Sequence, residues 1–296
     1  MAGIMQNTLL RRILLCVCLL LPALAWSQPQ LGSAAALLAK HDAVKSQFDK
    51  NAFNRPLVLE SSEASGQLSG HIFALVDHPF AQVNSALTKP AVWCDVLMLH
   101  LNTKYCVVRE GGAGTMLAVS VGRKFDQPLS DAQRIDFVWQ PPVSAADYMS
   151  ARLSADKGPL STRDYRIEFE ATPLPNNKTF IHMAYAYAYG TAARIAMQGY
   201  LSTLGSDKVG FSAKDKDASG QPNLVGGVLG VVERNTMRYY LAIDAYLDAP
   251  AEAQLPQRLA QWFDSTERYA RQLHEVERTD YLEMKRNEYK RLKTPQ

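Results

Sequence analysis

The sequence predicts an α+β protein: an antiparallel sheet with two short helices after its first strand, further helices behind it, and a helical extension at each end. Three observations predict this. The stretch Gly70–Arg109 reads strand, helix, helix, strand. From Lys104 to Gly190 the apolar residues recur largely at period two, with turn residues between the runs. After Thr191 the spacing changes to three and four, the helical pattern.

Met1–Ser27 has the marks of an export leader. Arg11 and Arg12 precede the apolar core Ile13–Leu21, and Ala23-Leu24-Ala25 or Ala25-Trp26-Ser27 offers a small-residue cleavage site. The core is shorter than the roughly 20 residues a spanning helix needs, so no transmembrane anchor is expected. A retained anchor is the alternative. Cys16 and Cys18 lie inside the core rather than after a lipobox, which argues against lipidation. The expected place is a Gram-negative periplasm. The expected divisions are 1–27 leader, 28–69 helix and extended arm, 70–248 main domain, and 249–296 linker and long C-terminal helix.

The 296-residue chain holds 32 basic and 29 acidic residues. Both leader arginines removed, the balance is near neutral, with no basic stripe, so a nucleic-acid partner is excluded. Cys94 and Cys106 alone remain after cleavage, 12 positions apart. In an oxidising compartment they read as one disulfide tying the second short helix to the next strand. The alternative, a redox pair, lacks the Cys-x-x-Cys spacing.

In chain order, Leu31–Asp49 carries Leu37, Leu38, Val44 and Phe48 at near-helical spacing, an amphipathic helix for the main body. Asn54-Arg55-Pro56 ends it, Pro56–Ser61 is extended, and polar Ser62–Gly70 reads as a turn. His71–Val76 is the first strand. Pro79 suits a first helical turn, and Phe80, Val83 and Leu87 share a face. Asp77 is placed to cap that helix. Pro90 opens the second helix, Ala91–Leu99, with Trp93, Val96 and Leu97. Lys104–Arg109 is a strand. Gly111-Gly112-Ala113-Gly114 is a hairpin turn and not a phosphate loop, since no lysine-serine pair or helix follows.

Strands are then expected at Met116–Gly122, at Arg134–Gln140 closed by Pro141-Pro142, at Tyr148–Ala155, and at Tyr165–Ala171, where Tyr165, Ile167 and Phe169 share a face. Thr179–Gly190 is the most regular. Met183, Tyr185, Tyr187 and Tyr189 lie on one face; Phe180, His182, Ala184, Ala186 and Ala188 lie on the other. The small face either receives a closely packed helix or borders a cavity with tyrosine tips near it. Thr191–Leu204 is a helix. Gly205–Gly230 is a long connection of the kind that often serves as a lid or binding loop. Val231–Asp248 is a helix with Met237, Tyr240, Leu241 and Ala245 inward. After the linker Pro250–Pro256, Gln257–Leu292 reads as one charge-laced helix with the stripe Trp262, Tyr269, Leu273 and Val276. Glu283 with Arg286, and Arg271 with Glu275, are spaced to pair along it.

This order resembles the START-like, or SRPBCC, helix-grip superfamily across roughly residues 70–248. The likeness rests on HIFALVDHPFAQVNSALTKPAVWCDVLML, the strands from Lys104 to Gly190 and the helices after Thr191. It is one of topology and rhythm. It implies a curved sheet wrapped around a long helix, enclosing an apolar cavity for a lipid, sterol or polyketide, with cyclisation or hydrolysis in some members. The helical start and the helix after Pro256 depart from the plain pattern, and the gripping helix is not identified.

No metal-binding HExxH spacing occurs, and neighbouring Asp77 and His78 would face opposite ways in a strand. No GxSxG elbow occurs. No cofactor is expected. Glu233, Arg234, Asn235 and Arg238 form the densest polar group: a solvated helix start with internal ion pairs, or a site where Arg238 meets a head group. His182 is a hydrogen-bonded core residue or a cavity base. The candidate cavity residues are thus His182, Ala184, Ala186, Tyr185, Tyr187 and Arg238. The favoured reading is an exported binding or carrier protein for a lipid or other apolar small molecule. The alternatives are a cyclase- or hydrolase-type enzyme in the same cavity, or an envelope-protein partner bound through Gln257–Leu292.

Overall fold

The protein is described by a computed structural model covering residues 32–293, apart from 113, 192–193, 196–198, 200–207 and 217–218. The leader and most of the Thr191–Leu204 helix therefore lie outside the described residues.

Leu57–Ala64 (β1) and Gln67–Val76 (β2) form a hairpin. Its turn is Ser65 and Gly66, both at positive φ (52° and 78°), the twist that suits a two-residue connection. The expected turn over 62–70 is thus mostly strand. Ser62, Glu63, Ser65 and Ser69 interrupt the apolar pattern there, so the period-two signal is thin, and pairing with the neighbouring strand sets the conformation instead.

Phe80–Leu87 (α2) and Pro90–Leu99 (α3) follow, with Val83, Leu87, Trp93, Val96 and Leu97 buried. Asp77 does not cap α2. Pro79 occupies the capping position, and the Asp77 carboxylate pairs with Lys178 at 2.9 Å. A disulfide joins Cys94 on α3 to Cys106 on the next strand, with the Cα atoms 5.3 Å apart.

Thr103–Gly111 (β3), Gly114–Val121 (β4), Gln133–Ser144 (β5), Met149–Lys157 (β6), Thr162–Pro173 (β7) and Thr179–Tyr189 (β8) complete a curved antiparallel sheet. Among the described residues its order is β1-β2-β8-β7-β6-β5-β4-β3. β5 does not stop at Pro141-Pro142. Its register slips by one residue between Gln140 and Val143, a bulge that takes two residues without ladder N–H groups out of the pairing. β8 pairs with β2 from Gln67↔Ala188 to Val76↔Thr179, so the last strand lies beside the second.

Gly227–Asp248 (α4) crosses the concave face against β2, β8 and α3. Met237, Tyr240, Leu241 and Ala245 point inward and are buried. At Gly70 an added Cβ would lie 2.2 Å from the Thr236 hydroxyl, so helix and sheet touch almost backbone to backbone. α4 is therefore the gripping helix. A short hairpin, Ala213–Lys216 (β9) with Pro222–Leu224 (β10), occupies the connection before it. On the convex face Ala34–Val44 (α1) covers β7 and β8. A second small core forms there from Leu37, Val44, Phe48, Val58, Phe73, Tyr148 and Phe180.

The C-terminal segment is not one helix. It divides into Leu255–Glu267 (α5), Ala270–Leu273 (α6) and Arg278–Leu292 (α7). Tertiary bonds draw the chain inward at the breaks. The Tyr269 hydroxyl donates to the Phe53 carbonyl at 2.9 Å, and Arg238 donates to the Leu273 carbonyl at 3.2 Å. Glu275 accepts from Arg238 (2.9 Å) and Lys124 (2.7 Å) rather than pairing with Arg271. Trp262 and Leu273 of the expected stripe are buried in the protein's own core. α7 is anchored by an ionic cluster with no solvent exposure. Glu288 takes Lys104 at 3.0 Å and Lys285 at 2.7 Å. The lysines complete their bonds on the carbonyls of Leu101, Phe125, His100 and Thr103.

Candidate ligand cavity

Between the concave face and the gripping helix lies a cavity of about 180 Å³. Leu97, Val119, Ile135 and Phe137 make its apolar wall; Tyr165, Tyr185 and Tyr239 make its aromatic side. Its polar members are His100, Asn102, Thr103 and Asn235. The positions follow from local sequence. α3 ends where His100 turns extended (φ −67°, ψ 137°). The next turn folds back so that the Asn102 amide donates to His100 Nδ1 at 3.2 Å, while the Asn102 side chain donates to the Gly122 carbonyl at 2.6 Å. The alternation of β8 sends Tyr185 inward, and Tyr239 comes from α4 to lie beside it, tilted by 57° at 5.2 Å between ring centroids. The His100 ring lies 5.1 Å from Tyr239.

His100 is 4% exposed, and its Nε2 has no hydrogen-bond partner. Asn235 lies beside the ring and favours a proton there, yet its Oδ1 accepts from Arg238 Nη1 at 3.4 Å and completes no bond to Nε2. Burial first, and then the charges of Arg238 and Lys285, hold the His100 pKa well below the ordinary histidine value. The ring is therefore neutral at pH 7. A buried donor left unpaired costs about 1–3 kcal/mol, and among the described cavity-lining residues His100 Nε2 is the buried side-chain nitrogen left so. Burial also raises the Tyr185 and Tyr239 phenols, so both are neutral hydroxyls. Neither makes a hydrogen bond to another described residue.

The candidate residues read from the sequence separate onto two faces. Tyr185 lines the cavity. Tyr187 shares its face but stacks on Tyr165 (5.5 Å, planes 15° apart) outside the lining. Arg238 stands behind the cavity with its guanidinium engaged by Glu275 and the Leu273 carbonyl. His182, Ala184 and Ala186 lie on the convex side of the sheet. There the Tyr148 hydroxyl donates to Glu170, Glu170 holds His182 Nδ1 at 2.9 Å, and His182 Nε2 meets His71 Nδ1 at 3.0 Å. Glu233 and Arg234 are buried rather than solvated. Glu233 accepts from Ser61 (2.6 Å) and from the Phe211 and Ser212 amides (2.5 and 3.0 Å), fastening the β9–β10 segment to α4.

His100 carries no sequence motif and was not legible as a site residue; one signal for it is its place directly after the helix that ends at Leu99. Among the described residues no three His, Cys, Asp or Glu side chains converge as a metal set, and no helix is long and apolar enough to cross a membrane. A larger open hollow of about 790 Å³ lies between α5 and α7, lined by Asp95, Glu252, Arg258, Tyr289 and Lys293. It is outside the grip and mixes both charges, so the smaller cavity beneath the gripping helix is the better candidate for an apolar guest.

Two strands, two short helices, six more strands and a long helix across the concave face make this a helix-grip fold. Solved structures to which the chain is similar include human StAR-related lipid transfer protein 5, at 12% identity and TM-score 0.31, covering 57% of this chain and 87% of that one. A conserved protein of unknown function from Enterococcus faecalis matches at 8% identity and TM-score 0.34, covering 76% and 98%. A norcoclaurine synthase point mutant from Thalictrum matches at 13% identity and TM-score 0.33, covering 51% and 91%. No family model and no curated protein matches the sequence.

Proposed function

We propose that this protein is an exported binding or carrier protein that holds an apolar or amphipathic small molecule in the grip cavity. The observation that carries the reading is the cavity itself, walled by aliphatic and aromatic side chains with a few inward polar groups, the composition expected of a small-molecule site. Its volume of about 180 Å³ limits the guest. An apolar cavity of roughly 150 Å³ accommodates benzene, so a single-ring molecule or a short acyl chain fits without rearrangement. A sterol requires the cavity to enlarge. The export part of the reading is supported by the leader-like start of the sequence and by the Cys94–Cys106 disulfide, a bond that persists in oxidising compartments.

The test is native mass spectrometry of the full-length precursor expressed with its own leader and purified gently from periplasm. The expected result is a processed chain carrying a small organic molecule that denaturation releases. Ligand-free mass, together with no uptake from a panel of single-ring and C6–C10 acyl compounds, would overturn the binding reading. Retention of Met1–Ser27 in the cytoplasmic fraction would overturn the export reading.

A further inference from the structure

We infer that the cavity selects an uncharged single-ring compound bearing a carbonyl oxygen, with His100 Nε2–H as the donor that recognises it. The inference rests on the binding reading above and adds the chemical class of the guest.

The tautomer of His100 is fixed by its neighbour. The Asn102 amide can only donate, and it points at Nδ1 from 3.2 Å. Nδ1 must hold a lone pair, so the single proton of the neutral ring sits on Nε2. That N–H is buried, belongs to a cavity-lining residue and completes no hydrogen bond, although the Asn235 side chain lies beside the ring. Tyr185 and Tyr239 add two hydroxyls without hydrogen-bond partners among the described residues. The wall thus presents one obligatory donor and two adaptable groups, and an oxygen acceptor satisfies it best.

Charge narrows the class further. Arg238, Lys285 and Lys124 all place positive potential on the His100 ring. An ammonium guest would be repelled. A carboxylate would need a cation of its own, yet Arg238 and Lys124 are held by Glu275, and Lys285 by Glu288. A neutral carbonyl requires neither. Apart from Asn102, Thr103 and Asn235 the remaining wall is aliphatic and aromatic, and the volume admits about one ring with a short arm.

The test compares acetophenone with α-methylstyrene, which replaces the carbonyl oxygen by a methylene group of nearly the same shape. Both are titrated into the delipidated, disulfide-intact protein by ligand-observed NMR. The ¹⁵N-labelled His100 ring proton is followed as a second readout. The expected result is roughly ten-fold tighter binding of acetophenone, the worth of one buried hydrogen bond, with the Nε2–H resonance moving for acetophenone alone. Equal affinity for both compounds overturns the inference and leaves the binding reading standing. Binding of neither overturns the inference, and overturns the binding reading too where the protein is also ligand-free and takes up none of the C6–C10 acyl compounds. His100→Phe should abolish the ten-fold preference, and a variant that keeps it would remove His100 from the role. Should that variant not fold, the ring resonance in the unaltered protein decides the matter, because a guest that does not touch Nε2–H leaves it in place.

Discussion

Replacing Glu288 by glutamine removes the anion shared by Lys104 and Lys285 while keeping the side chain's shape. All three groups are without solvent exposure. The lysine carbonyl contacts remain, but two ammonium groups are left facing each other inside the protein. Burial already lowers both lysines, Lys285 to about 8. Without the carboxylate one of them is forced to release its proton. For an ordinary lysine that release costs about 4.6 kcal/mol at pH 7 and about 1.2 kcal/mol at pH 9.5. A loss of about 3–5 kcal/mol at pH 7 is the usual result of removing one partner of a buried pair. Glu288→Gln should therefore lose about 4 kcal/mol at pH 7 and only about 1 kcal/mol at pH 9.5. Urea unfolding followed by far-ultraviolet circular dichroism, each variant beside the parent at the same pH, measures both. A loss below about 1 kcal/mol at pH 7, or the same loss at both pH values, would refute the idea that an uncompensated buried charge sets the cost.

Three further outcomes are expected. Cys94→Ser with Cys106→Ser should lower stability by about 2–4 kcal/mol, and a reductant should bring the parent's unfolding midpoint to that of the variant; a parent indifferent to reductant would count against it. Gly70→Ala drives a Cβ against Thr236 and should cost about 1–3 kcal/mol. Adding Thr236→Ala should recover part of that loss, and a double-mutant cycle with no coupling would refute the contact. His71 is held down to about 4 by burial, then by His182 and Lys40. The unfolded chain takes up a proton near pH 6.5 and the folded one does not, so stability is full above 6.5 and falls as pH drops from 6.5 towards 4. Urea midpoints at pH 7 and 4.5 should show His71→Phe losing roughly one proton's worth of that slope. His100, displaced the same way, keeps part of it.

The strands from Lys104 onward were legible because one face of each is apolar and the period is two. The side of β8 that looks inward was not legible. Tyrosines alternate with alanines there, and both sets can be buried. The sheet's curvature places Tyr185 toward α4 and His182 beneath α1. β1 was obscured by the polar run Glu60-Ser61-Ser62-Glu63. The C-terminal break was invisible because it is made by Tyr269 and Arg238 bonding partners far away in sequence. The chain Tyr148, Glu170, His182 and His71 assembles across four strands or strand ends, with His71 and His182 separated by 111 positions. His100 has no spacing to announce it. Its role comes from an amide two residues on and from what the surrounding helices leave empty.

The Lys104–Glu288 pair also bears on synthesis, since its two members are 184 positions apart. A growing chain that has delivered the whole sheet still exposes an uncovered corner at His100–Thr103 until α7 emerges. Chains interrupted before Arg278 lack the wedge and should be cleared by proteases.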